Sequence, residues 1–230
     1  MTQNIHSGHR ERLRKRLEKE GIDSFEPHEV LELLLYYSIP RADTNPIAHR
    51  LLERFGSLSA VLEAPRSELM KVEGVGQGSA TLLSLMPGLA RKYMTDKSSK
   101  KAVLDSPEKI YEFIKPYFIG CENERLYLIC LDMKCRVLNC VLLGEGSNNS
   151  VIADVRLICR TALDCGATCV ALAHNHSQGF ALPSPNDNLV TKNITKALKT
   201  ISIEVADHVI VTNDDYASMR RMGFFANLDL

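Results

Sequence analysis

From residue 95 to 101 the chain reads Thr-Asp-Lys-Ser-Ser-Lys-Lys, seven residues without an apolar side chain. The apolar residues on its two sides are spaced differently. Before it they recur at helical intervals, as in Leu13 and Leu17 or in Ala48, Leu51, Leu52 and Phe55. After it they gather in runs of strand length, such as Leu126-Tyr127-Leu128-Ile129-Cys130-Leu131. A polar stretch between two unlike patterns is a natural linker. The expected division is an all-α domain over 1–94, a linker over 95–105, and a second domain over 106–230. A length of 230 residues accommodates two small domains at roughly 100–200 residues each.

Composition excludes several classes. With 45% hydrophobic and 24% charged residues, the chain has enough apolar surface to bury a core, so disorder is ruled out. Lys and Arg number 28 and so do Asp and Glu, which argues against coating nucleic acid by bulk charge. The front is mildly basic, with 16 basic and 13 acidic residues up to position 101, and the remainder mildly acidic, with 12 and 15. No apolar run approaches the ~18 residues of a membrane span, so no membrane association is expected. Met1-Thr2-Gln3-Asn4-Ile5-His6 lacks the basic and apolar regions of a secretory signal, and a cytoplasmic location is expected. The seven cysteines all fall between Cys121 and Cys169, and no pair has C-x-x-C spacing. An odd count without a signal reads as reduced thiols that fill core space.

In the front half, residues 7–17 form a basic helix whose charge run suits a solvated face. Residues 29–37 are apolar enough to be buried and must leave the helix before Pro40. Asn45-Pro46 opens a helix that ends at Gly56, and shorter helices are expected over 57–62 and 67–72. Val72-Glu73-Gly74-Val75-Gly76-Gln77 then places Gly-x-Gly between two helical segments, the pattern of a helix-hairpin-helix. Gly74 and Gly76 let the backbone turn tightly ahead of a helix whose free N–H groups suit a DNA phosphate. Such contacts position nucleic acid without reading its sequence. The same hairpin also serves as a plain packing unit.

In the back half, Ser106-Pro107-Glu108 starts a helix. Strands are expected over 126–131 and 137–143, with a turn through Asp132-Met133-Lys134-Cys135. A helix over 153–165, a buried strand over 168–173, a helix over 186–200 and a strand within 203–211 follow. An α/β or α+β domain with helices on both sides of a sheet is implied.

The chemistry is concentrated between His174 and Asp187. His174 and His176 follow an apolar strand, and residues two apart on a strand share a face, so both imidazoles can point at one ion. A loop with Gly179, Pro183 and Pro185 returns the chain to Asp187 at the start of a helix. Two imidazoles and a carboxylate suit Zn²⁺, and three protein ligands leave a fourth tetrahedral position open, as in catalytic zinc sites. The plainer alternative is a surface histidine pair with Asp187 capping its helix.

The spacing His174-x-His176-x7-Ser184-x2-Asp187 resembles the JAMM (MPN+) metalloprotease motif, and nearly the whole chain resembles the RadC family of bacterial proteins. Gly8-His9-Arg10-Glu11-Arg12-Leu13, Ile39-Pro40-Arg41-x-Asp43-Thr44-Asn45-Pro46, Arg54-Phe55-Gly56-Ser57-Leu58 and Val72-Glu73-Gly74-Val75-Gly76 resemble that family's helical front. Gly146, Asn149 and Arg156 resemble the stretch before its JAMM motif, and Asp207-His208-Val209-Ile210 and Tyr216-x-Ser218 its C-terminal end. The resemblance implies an α+β chain, with a JAMM/MPN-type α/β/α domain built on a curved mixed sheet of cytidine-deaminase-like form. It implies one Zn²⁺ per chain on His174, His176 and Asp187. It also implies Ser184 as the oxyanion donor and an upstream glutamate as the base, in the place held here by Glu124, with Glu122 and Glu145 as further candidates. The reaction implied is hydrolysis of an amide bond in a peptide or isopeptide substrate. The chain departs from the family where Ser177-Gln178-Gly179 replaces the usual Pro-Ser-Gly, and where Val141-Leu142 is more apolar than usual.

Other readings compete. The chain could be a non-enzymatic DNA-binding or DNA-repair accessory protein acting through Gly74 and Gly76. A nucleotide deaminase would need His-x-Glu and Pro-Cys-x-x-Cys, whereas here Asn175-His176 follows His174 and no Cys-x-x-Cys exists. A purely structural zinc would close with a fourth ligand, often a thiolate. Asp207-His208 reads either as a strand-end hydrogen bond or as a pair orienting a ligand histidine. Asn175, between the two histidines, points to the other face of the strand, where a backbone hydrogen bond is expected.

Overall fold

A computed structural model describes residues 5–97, 102–146, 154–176 and 180–228. The chain divides into two compact units, Met1–Ala90 and Arg91–Leu230. Residues 98–101 of the expected linker, Asn149 and Ser177-Gln178-Gly179 lie outside the described residues. Thr95, Asp96 and Lys97 belong to a helix rather than to a linker.

The first unit is helical: α1 (Ile5–Glu20), α2 (Pro27–Ser38), α3 (Asn45–Phe55), α4 (Leu58–Glu63), α5 (Arg66–Leu69) and the start of α6 (Gln77–Lys97). Pro27 at the first turn and a capping box between Glu26 and Glu29 start α2. Its buried Leu31 and Leu35, four apart, meet Ile47, Ala48 and Leu51 of α3 in one core with Val61, Leu69 and Leu83. In the charge run of α1, Glu11, Arg12, Arg14 and Lys15 are exposed as expected, and only Arg10 and Arg16 are partly buried. The Arg10 guanidinium donates to the carbonyls of Ile39, Pro40 and Ala42 at 2.7, 2.8 and 2.6 Å, and Arg16 pairs with Glu29 at 2.7 Å. The two hairpin glycines differ. Gly74 has φ +91°, and a Cβ there would sit 2.8 Å from Ile47 Cδ1, so packing alone demands glycine. Gly76 faces open space beside the first turn of α6.

The second unit contains α7 (Pro107–Ile114), β1 (Glu124–Leu131), β2 (Val137–Gly146), α8 (Val155–Asp164), β3 (Cys169–Asn175), α9 (Pro185–Thr200), β4 (Glu204–Val211) and β5 (Tyr216–Ser218). The strands form a five-stranded sheet in the order β2-β1-β3-β4-β5, in which β3 and β4 are parallel and the other pairs antiparallel. This is the expected mixed sheet with helices on both faces. One face buries Tyr127, Ile129, Leu131, Ala171, Ala173, Val209 and Val211 against Ile110, Phe113 and Ile114 of α7. The other buries Leu126, Leu128, Val170 and Leu172 against Ile158 and Ala162 of α8 and Ile194 and Leu198 of α9. Burying an aliphatic side chain contributes about 1.5–3 kcal/mol, so both sandwiches are held mainly by these contacts.

A bulge decides which side chains of β4 reach the second face. Val170 pairs with Val205 but Ala171 pairs with Asp207, so Ala206 is an extra residue. The alternation inverts there, placing Asp207 on the α7 face and His208 on the α9 face. The Arg220 guanidinium donates to the carbonyls of Val205 and Ala206, and Asp207 accepts from Ser218 Oγ and the backbone N–H of Arg220. The three-residue β5 was not apparent from periodicity. β3 also runs farther than expected and includes His174 and Asn175. Among the described residues no helix is long and apolar enough to cross a membrane.

Candidate metal centre

His174 lies on β3 beside Val170 and Leu172, facing α9, and is 5% exposed. His176 follows one residue past the strand end, its backbone N–H held by the Val211 carbonyl at 2.9 Å. Asp187 sits in the first turn of α9. Ser184 caps that helix by accepting from the Asp187 N–H at 3.2 Å, while Asp187 Oδ2 accepts from the Ser184 N–H at 2.7 Å and from its Oγ–H at 2.6 Å. This capping box fixes the carboxylate as it starts the helix. Asp187 is thus the reciprocal partner of the cap, not the cap itself. The Ser184 hydroxyl, expected as an oxyanion donor, directs its proton to Asp187 rather than into the pocket.

Three side chains converge. His174 Nε2 lies 3.0 Å from His176 Nε2 and 3.3 Å from Asp187 Oδ1, and His176 Nε2 lies 3.5 Å from Asp187 Oδ2. A tetrahedral zinc with bonds of ~2.0–2.1 Å separates its ligand atoms by about 3.3–3.4 Å. The donor set and its spacing therefore fit that ion. His176 Nδ1 is 3.3 Å from the Phe180 carbonyl, which can only accept, so Nδ1 carries the proton and Nε2 faces the centre with its lone pair. No thiol lines the pocket, and all seven cysteines are free, so no cysteine closes the site.

The electrostatics agree with a cation site. Burial would raise the Asp187 carboxyl, but the hydrogen bonds it would accept from protonated His174 and His176, with that from Ser184, outweigh it and hold the group far below the usual carboxylate range. In its protonated form His176 would donate to Asp187, which raises it against the opposing effect of burial. Complete burial, with His174 alongside, pushes His208 well below the ordinary histidine value.

Glu124 reaches the same pocket from β1. Leu126 pairs with His174, so Glu124, two residues earlier on the same face, stands beside the triangle and lines the pocket with His174, His176, Ser184, Asn186 and Asp187. It is 8% exposed, and its carboxylate makes no hydrogen bond among the described residues. Glu122 is exposed and outside the pocket, while Glu145 pairs with Arg125 at 3.1 Å. Asn175 holds Glu124 in place from the opposite face: its Oδ1 accepts from the Arg125 N–H at 2.8 Å and its Nδ2 donates to the Asn123 carbonyl at 3.3 Å, the two neighbours of Glu124. His208 is the residue whose place sequence reasoning left undecided. A polar pair, Asp207-His208, among Val205, Val209, Ile210 and Val211 is its signal, since a buried imidazole needs partners.

Two family models match the chain. The RadC-like JAB domain matches residues 104–224 and the UPF0758 N-terminal domain matches residues 6–81. The first covers the mixed sheet with its flanking helices, the fold of a JAB, or MPN, domain, and the second covers the helical unit up to the start of α6. Since the first alone takes in more than half of the sequence and the second accounts for most of what precedes it, the chain belongs to the RadC (UPF0758) family.

Proposed function

We propose that the chain is a zinc-dependent amide hydrolase, a JAMM-type metallopeptidase or isopeptidase holding one Zn²⁺. The observation that carries this reading is the triangle of His174 Nε2, His176 Nε2 and the Asp187 carboxylate, with edges of 3.0, 3.3 and 3.5 Å, in a pocket that also contains Glu124. The three side chains would hold the ion, the number of protein ligands found in catalytic zinc sites. Zinc so held supplies water acidified toward a pKa of ~7 and a Lewis acid for a carbonyl. Glu124, whose carboxylate makes no hydrogen bond among the described residues, would take the proton of the attacking water and return it to the leaving nitrogen. Ser184 orients Asp187. Its hydroxyl would serve the substrate oxygen once released from Asp187 Oδ2, and a donor of that kind is worth ~2.7–4 kcal/mol.

The test is metal analysis of the purified full chain, with a fluorogenic peptide and isopeptide library as the substrate probe. The expected result is about one zinc per chain in the wild type and in Glu124→Gln, none in His174→Ala, and cleavage in the wild type alone. A wild type that takes up no zinc overturns the reading. So does a Glu124→Gln chain that cleaves as well as the wild type.

A further inference from the structure

Thr191 and His208 are polar side chains beside the metal triangle that the proposed reaction does not use. Both are buried, with 0% and 1% exposure. Thr191 Oγ1 lies 2.6 Å from the Asp187 backbone carbonyl and 2.6 Å from His208 Nδ1, and His208 Nε2 lies 2.8 Å from His174 Nδ1. The row runs unbroken from the backbone of one proposed ligand to the ring of another.

The row also has a direction. A carbonyl oxygen carries no proton, so the Thr191 hydroxyl donates to Asp187. With its one proton engaged, the Thr191 oxygen accepts from His208, which places the His208 proton on Nδ1. A neutral imidazole has one N–H, so His208 Nε2 is an acceptor and receives the Nδ1–H of His174. His174 Nε2, 3.3 Å from Asp187 Oδ1, is then left with its lone pair toward the centre. His176 reaches the same state through the Phe180 carbonyl.

We propose that His208 is a positioning residue which, with Thr191, holds His174 in its Nδ1–H tautomer and so readies Nε2 as a ligand before any ion arrives. The proposal rests on the metal-site reading above. The bulge at Ala206 is what brings His208 to this face, and Arg220 and Ser218 brace that bulge from the far side.

The experiment uses the full chain labelled with ¹⁵N-histidine and stripped of metal, with long-range ¹H–¹⁵N correlation to read each tautomer. Zinc affinity is measured by chelator competition. The wild type shows His174 as Nδ1–H. Thr191→Val, nearly the same in shape, removes the acceptor that fixes His208, so His174 becomes a mixture of tautomers and zinc affinity falls about 10–100-fold. Thr191→Ser restores both. A melting temperature lowered in Thr191→Val with tautomer and affinity unchanged assigns the pair to packing alone and overturns the proposal. If Thr191→Val does not fold, the wild-type spectrum decides, because His174 in the Nε2–H form contradicts the row. A wild type without zinc affinity defeats the hydrolase reading instead, while the metal-free spectrum still judges this one.

Discussion

Asn175→Ala separates the placing of Glu124 from the holding of the ion. The Asn175 side chain is 5% exposed and extends the β1–β3 ladder one rung past its last main-chain pairing. Its loss removes the bond to the Arg125 N–H at 2.8 Å and the weaker one to the Asn123 carbonyl at 3.3 Å. At about 1 kcal/mol for the weaker bond, and about 1–3 kcal/mol for the Arg125 N–H left unpaired, the substitution costs about 2–4 kcal/mol. For a unit of this size that lowers the melting temperature by roughly 5–15 °C. The imidazoles are held from the other side, by the pairing of His174 with Ile210 and by the Val211 carbonyl, so zinc content stays at the wild-type level. Hydrolysis falls by about 100-fold, because a base displaced by an ångström loses its alignment. The assays are calorimetry, metal analysis, amide exchange at Arg125 and turnover. If Arg125 keeps its protection and the melting temperature does not move, the clamp is not there. If zinc is lost along with stability, the two functions are not separable as argued.

The hairpin glycines should behave oppositely. Gly74→Ala, with φ +91° and Ile47 in the way, loses about 2–4 kcal/mol in chemical denaturation, whereas Gly76→Ala stays within about 0.5 kcal/mol. If the hairpin meets phosphate, Gly76→Ala also weakens binding to a duplex oligonucleotide at low salt, and unchanged binding removes Gly76 from the DNA reading. In the metal-free chain the depressed Asp187 carboxyl stabilises above the unfolded carboxylate pKa of ~3.9 and is lost as pH falls, while the raised His176 stabilises below ~6.5 and is lost as pH rises through its folded value. His208, pushed well below the ordinary histidine value, acts against His176 by favouring the fold above ~6.5, so melting should decline as pH falls below that value, and zinc should abolish the alkaline loss that His176 contributes. Burial pushes Cys140 up to about 12 and Cys169 up to about 11, so both resist a maleimide at pH 8 until the chain is denatured. Rapid labelling of the native chain contradicts that burial.

What the sequence made legible follows from how local each piece of chemistry is. His174, His176 and Asp187 lie within fourteen residues, and strand alternation followed by a helix start is enough to aim them at one point. Glu124 is fifty residues upstream of that group, and its place depends on the antiparallel pairing of Leu126 with His174, a relation between two strands that no single stretch records. Its place follows from the family resemblance, not from spacing. The resemblance implies Ser184 as a donor to substrate, yet the serine that opens a helix three residues before an acid is drawn first into a capping box. The short β5 has too few residues for alternation to register.

His208 shows the limit most sharply. Counting by twos from Val205, which faces α9, would put Asp207 toward the histidines and turn His208 away. The extra residue at Ala206 reverses that count, and its cause lies partly in Arg220, fourteen residues later, whose guanidinium takes the two carbonyls around the bulge. A bulge is a property of paired strands and leaves no periodic trace in either one. Polarity, however, does leave a trace. An imidazole in the middle of a central apolar strand must find partners on its own sheet face. At the level of His208 that face offers His174 on β3 and Thr191 on α9. The demand for a partner, rather than the parity of the strand, is what places His208 beside the metal centre.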